Sequence, residues 1–100
     1  MVQYKFFGNY LKNHCAGKSK AIKSRELEQL FDCKGSEIRQ MTNECRRNGI
    51  PVCSGRMGYY YPTKIEDIQQ TITGLISRIC GITAAKEGLI SYLESIKCKE

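Results

Sequence analysis

The sequence has no tryptophan, two prolines and one histidine, and no apolar run approaching the roughly 20 residues that cross a bilayer. Each shortage removes a class of protein. With His14 the only histidine and no Cys-x-x-Cys pair among Cys15, Cys33, Cys45, Cys53, Cys80 and Cys98, the usual zinc spacing is missing, so no metal is expected. His14 and Cys15 are neighbours in sequence. Adjacent residues on a helix point apart, which suits a surface histidine beside a packing cysteine better than a nucleophile and its base. A disulfide scaffold would need an export signal and a loop-rich chain. The start MVQYKFFGNYLKNHC has no basic leader and no cleavage site, so the thiols are expected to be reduced and the compartment to be the cytoplasm. Paired carboxylates and phosphate-binding glycine loops are also missing, so neither catalysis nor a cofactor is expected.

Positive charge is what the chain does have. The net charge of +6 is unevenly spread: residues 1–64 hold twelve Lys/Arg against five Asp/Glu, and residues 65–100 hold four against five. A head with a balance of +7 attracts polyanions and gains affinity by releasing counterions from phosphates. Charge alone leaves acidic proteins and anionic membranes as further partners. At 41% hydrophobic and 26% charged residues the chain has the composition of a folded protein, and 100 residues suffice for one core plus an appended helix.

The pattern along the chain divides it into a head, residues 1–62, and a C-terminal helix, residues 63–98. Val2, Phe6, Phe7, Tyr10 and Leu11 give residues 2–14 one apolar face at helical spacing. AGKSK at 16–20 reads as a loop leading to a very short strand at Ala21-Ile22-Lys23. Ser24 is a candidate cap for a helix over about 25–31, with Leu27, Leu30 and Phe31 inward. A break at Asp32-Cys33-Lys34-Gly35 follows, then Ser36 as the cap of a helix over about 37–48. Ile38, Met41 and Cys45 form its apolar stripe, and Arg39, Gln40, Asn43, Arg46 and Arg47 its polar face. Gly49 is placed for a left-handed C-cap and Pro51 for an edge strand. Ser54-Gly55-Arg56-Met57-Gly58 then turns the chain into Tyr59-Tyr60-Tyr61, a hairpin tipped by an arginine.

After Pro62, Thr63 and Glu66 match a capping box. From there Ile65, Ile68, Ile72, Leu75, Ile79, Ile82, Lys86, Leu89, Leu93 and Ile96 alternate steps of three and four, a heptad seam broken only by Lys86. Gly74, Gly81 and Gly88 recur seven apart, off the seam, each costing about 1 kcal/mol of helix propensity relative to Ala. Either the seam folds back on the first helix or it pairs with a second chain. A helix of about 33 residues is roughly 50 Å long, more than so small a head can cover, which favours a homodimer of parallel or antiparallel sense.

Helix, short strand, helix, turn, helix, hairpin is the order of a winged helix-turn-helix, so the expected class is mainly α with a small β-hairpin wing and a long heptad helix. In such a unit the second helix of the pair enters the major groove. Arg39 and Arg46 are then candidates for guanine, and Gln40 and Asn43 for adenine. Ser36, Thr42 and Arg47 are candidates for phosphates. Arg56 suits the minor groove or the backbone, with Lys34 and Tyr59 as further phosphate contacts.

SRELEQLFDCKGSEIRQMTNECRRNGIPVCSGRMGYYYP resembles the winged-helix module of the biotin repressor and its relatives. The resemblance covers about residues 20–62, is most specific in RRNGIPVCSGRMGYYYP, and is strongest to small phage and prophage proteins of Gram-positive bacteria. It implies a double-stranded-DNA-binding regulator or replication accessory in a bacterial host cell. Nothing of a biotin ligase accompanies it. The alternative from another class is a winged-helix protein-interaction module, such as a phage inhibitor of a host defence nucleoprotein.

Overall fold

The structure, a computed structural model, describes residues 3–99; Val2, assigned above to the first apolar face, lies outside them. Helix α1 is Tyr4–His14, and it turns Phe7, Gly8 and Leu11 inward. Phe6 is 72% exposed, contrary to expectation, because it sits about 100° round the helix from Phe7 while Leu11 stacks one turn along on the same line. Tyr10 packs edge-on against Phe31 of the next helix, with ring centroids 5.6 Å apart.

Helix α2, Ser24–Phe31, and helix α3, Gly35–Arg47, are joined by Asp32-Cys33-Lys34. Asp32 takes the left-handed conformation at φ 48°, and the Cys33 N–H returns to the Glu28 carbonyl at 3.0 Å, closing α2. Helix α2 starts at Ser24 itself and α3 one residue before Ser36, so neither serine takes the cap position expected of it. Lys23 and Lys34 occupy the cap positions in extended backbone, without side-chain caps. Ser24 instead donates its hydroxyl to Glu28 Oε2 within the helix, at 3.0 Å. Leu27 is fully buried and Phe31 follows one turn on; Leu30 falls on the outer flank and is 56% exposed, against expectation.

Phe7, Leu11, Leu27, Ile38, Met41, Cys45 and Val52 make the core where the three helices meet, with Cys15 at its edge. Each such side chain contributes roughly 1.5–3 kcal/mol when fully buried. Gly8 brings α1 close to the end of α3: a Cβ there would lie 3.0 Å from Ile50 and 3.4 Å from the Cys45 sulfur. Helix α3 ends as its sequence suggests. Gly49 has φ 80°, its N–H reaches the Arg46 carbonyl, and the Ile50 N–H reaches the Cys45 carbonyl at 2.8 Å, the paired bonds of a Schellman cap.

Strands β1, Cys53–Gly55, and β2, Gly58–Tyr60, form an antiparallel hairpin with Gly55 opposite Gly58 and Arg56-Met57 at its tip. The expected strand at 21–23 shrinks to one antiparallel bridge, in which Ile22 and Tyr59 exchange both backbone bonds at 2.9 and 2.7 Å. Tyr61, expected inside the second strand, instead bridges in parallel to Ala16. Gly58 has φ 119°, and a Cβ there would run into the Ile22 backbone, so only glycine allows this approach.

Helix α4 spans Ile65–Lys99. The capping box on Thr63 and Glu66 does not form; Asp67, one residue further, reaches back to the Thr63 N–H at 3.4 Å. The start of α4 is fastened to the hairpin. Cys53 donates its thiol to the Asp67 carbonyl, which also accepts from the Thr71 hydroxyl at 3.1 Å, and Tyr60 is buried against this corner. Beyond it α4 projects as a rod, giving extents of 60 × 32 × 23 Å and a radius of gyration of 17.5 Å, against about 13 Å for a compact chain of this length. The seam therefore does not fold back on α1. Among the described residues no helix is long and apolar enough to cross a membrane.

Candidate nucleic-acid interface

The buried stripe of α3 decides what its other side can present. Ile38, Met41, Thr42 and Cys45 face the core, which leaves Ser36, Arg39, Gln40, Asn43 and Arg47 exposed on the opposite side. Between that side and the hairpin lies an open cleft of about 480 Å³. Arg39, Thr42, Asn43 and Arg46 of α3 line it, with Ser54, Gly55, Arg56, Gly58 and Tyr59 of the hairpin, Lys23 and Ser24 before and at the start of α2, and Arg78 of α4. Among the described residues, five cationic side chains and no carboxylate line this cleft. An anionic backbone laid there meets cations from four separate segments of chain.

The candidate residues divide by geometry. Arg39, Asn43 and Arg56 are exposed and meet in the cleft with Tyr59. Lys34, Ser36, Gln40 and Arg47 are exposed on α3 or just before it but lie outside the cleft. Thr42 is 3% exposed and donates its hydroxyl to the Ile38 carbonyl at 2.8 Å, so it forms floor and holds no free donor for a phosphate. Tyr59 is half-buried. Its ring meets Phe7 edge-on with centroids 6.4 Å apart, so one side of it belongs to the core and the other to the cleft.

Arg46 has a second occupation that spacing did not reveal. Its Nε donates to the Val52 carbonyl at 2.9 Å and its Nη2 to the Ser54 hydroxyl at 3.0 Å, which ties the end of α3 to the entry of the hairpin. Burial, with Arg78 close by, holds its pKa below the ordinary guanidinium value. Arg46 also lines the cleft. It fixes the angle between α3 and hairpin as well as adding charge.

Sequence reasoning missed Lys23, Ser24, Ser54 and Arg78. Arg78 carried a weak signal: it is the one basic residue of α4 before Lys86, and it flanks the seam instead of lying on it. Its proximity to the head depends on how α4 leans on β1, which no local pattern encodes. The cysteines make no site. All six are free, Cys15, Cys45 and Cys53 are buried, and burial raises their thiol pKa values, Cys45 to about 11. Among the described residues no three His, Cys, Asp or Glu side chains cluster as metal ligands would. His14 is exposed and stacks on Tyr10 at 4.7 Å.

Compared with protein-family models, with curated proteins and with solved structures, the chain finds no match.

Proposed function

We propose that the head is a winged helix-turn-helix that binds double-stranded DNA, with α3 in the major groove and the Arg56 hairpin on the adjacent backbone or minor groove. The observation that carries this reading is the cleft between α3 and the hairpin, which among the described residues is lined by five cations and no carboxylate. The order α1, Ile22 bridge, α2, turn, α3, hairpin supports it, as does the polar inventory of α3. Arg39, Gln40 and Asn43 are the base-reading residues, since guanidinium and amide groups make bidentate bonds to guanine and adenine. Lys23, Lys34, Ser36, Arg47, Arg56, Tyr59 and Arg78 hold phosphates.

The exposed aliphatic seam of α4 supports a homodimer that presents two heads to a palindromic site. In this role the protein is a phage or mobile-element transcriptional regulator or a replication accessory. Titration of random duplex DNA at low ionic strength tests the reading. The native chain is expected to bind, and Arg39→Ala or Arg56→Ala to weaken binding without loss of fold. Failure of the native chain to bind DNA removes the proposal.

A further inference from the structure

Helix α4 carries two features that the DNA reading leaves unused: a lysine in the middle of an aliphatic seam, and an apolar groove beside the seam's N-terminal end. The groove, about 240 Å³, lies between Ile50, Pro51 and Val52 of the head and Ile68, Thr71 and Leu75 of α4. The eleven exposed large apolar side chains of α4 keep between 36% and 73% of their surface open.

We infer that α4 pairs with α4 of a second copy in antiparallel sense and full overlap, with the C-terminal third of each helix seated over the other copy's groove. This rests on the α4-mediated homodimer just proposed, and it specifies its sense and register. The seam mirrors itself. If Ile79 faces the partner's Ile82, then Leu75 faces the partner's Lys86, Ile65 faces the partner's Ile96, and every other seam position finds a seam position opposite.

Charge selects between the two senses. A parallel in-register pair sets Lys86 against the partner's Lys86, two ammonium groups at one level of an apolar seam. The antiparallel pair separates them by eleven residues, about 16 Å at about 1.5 Å per residue, and lays each lysine stem along a leucine. The groove gives the same answer. Its level on α4, residues 68–75, lies opposite the partner's 86–93, which brings Leu89, Tyr92 and Leu93 of the partner subunit to the groove. A parallel pair brings only the equally grooved 68–75 segment to that level.

The area is sufficient for a second copy. A large aliphatic side chain offers about 60–120 Å² of apolar surface when fully exposed, so two sets of eleven at roughly half exposure can cover about 1,000 Å². That is the size at which a specific interface becomes stable.

Cys98, exposed near the end of α4, provides the probe. Sedimentation equilibrium on the native chain comes first, and a dimer of the 11.4 kDa chain is expected. A monomer at every concentration overturns both the inference and the homodimer beneath it, whatever the DNA result. Nitroxide labelling of Cys98 in the Cys33→Ser/Cys80→Ser variant, read by pulsed electron double resonance, then separates the two senses. Antiparallel pairing places the labels about 50 Å apart at about 1.5 Å per residue. A separation under about 20 Å in a confirmed dimer overturns the antiparallel sense alone. In the unlabelled chain, Tyr92→Ala is expected to raise the dimer dissociation constant about tenfold, and an unchanged constant overturns the seating of this segment.

Discussion

Replacing Arg46 with alanine separates the two occupations of this side chain. In the native fold its guanidinium donates to the Val52 carbonyl and the Ser54 hydroxyl, and Val52 itself is buried. Hydrogen bonds from a charged donor contribute about 1.5–3 kcal/mol each, and a buried carbonyl left unpaired costs about 1–3 kcal/mol. Half-burial of the cation opposes this, because the native fold gives up part of its hydration, so the net loss on substitution is about 2–3 kcal/mol. For a domain of this size each kcal/mol moves Tm by about 4–8 °C, so Arg46→Ala is expected to melt roughly 10–20 °C lower. Arg39→Ala, in the same cleft but exposed, should stay within about 0.5 kcal/mol of the native chain. Thermal unfolding followed by circular dichroism reads both. Equal melting temperatures for the native chain and Arg46→Ala would refute the tie between α3 and the hairpin, and any DNA-binding loss in that variant would then be one of charge alone.

Gly58→Ala introduces a Cβ into the Ile22 backbone at a φ that L-residues avoid, and it should cost about 2 kcal/mol or more, visible as a lower denaturant midpoint. Ile79→Asp sets a carboxylate at the centre of the seam and is expected to give a monomer by light scattering while the head's melting is preserved. Thiol accessibility should split by burial: Cys80 and Cys98 react with a maleimide in the native state, and Cys15, Cys45 and Cys53 only after unfolding. Cys45 also sets a pH dependence. Its thiol pKa is raised from 9.0 to about 11 in the fold, so the unfolded chain gives up this proton first. Its contribution to stability is therefore complete below pH 9 and lost as the pH rises toward about 11, a decline that Cys45→Ala should flatten in denaturant titrations across that range.

Element order was readable from the residues because periodicity and punctuation agreed at nearly every joint. Gly49 and Pro51 marked the end of α3 and the entry of the hairpin, and the seam from Ile65 announced α4. Sequence misassigned two short strands, the one expected at 21–23, which is a single bridge, and the edge strand expected at Pro51, which precedes β1; the other errors lay at single positions. Phe6 and Leu30 are apolar and near the right spacing, yet each stands a partial turn off the buried line, and only the three-helix packing decides which side is covered. Helices α2 and α3 start one and two residues earlier than expected, with Lys23 and Lys34 in the extended backbone of the cap and no side-chain acceptor there to mark it in the sequence. Within the cleft, Arg39, Asn43 and Arg56 were legible as one polar helix face plus one turn. The part played by Arg46 was not, since its bonds go to Val52 and Ser54 across a chain reversal. Arg78 came from the lean of α4, a tertiary angle with no local signature.

The central claim is that the head binds a DNA duplex, with Lys23, Arg56 and Arg78 of the cleft on its backbone and Arg39 on a base edge, and the salt dependence of duplex binding tests it most directly. If each head neutralises about three phosphates, a pair neutralises about six, and affinity should fall about a thousandfold between 50 mM and 200 mM salt. Arg56→Ala should make that slope shallower by about one contact per head. Duplex binding that does not change with salt, or no binding at 50 mM, would contradict the account.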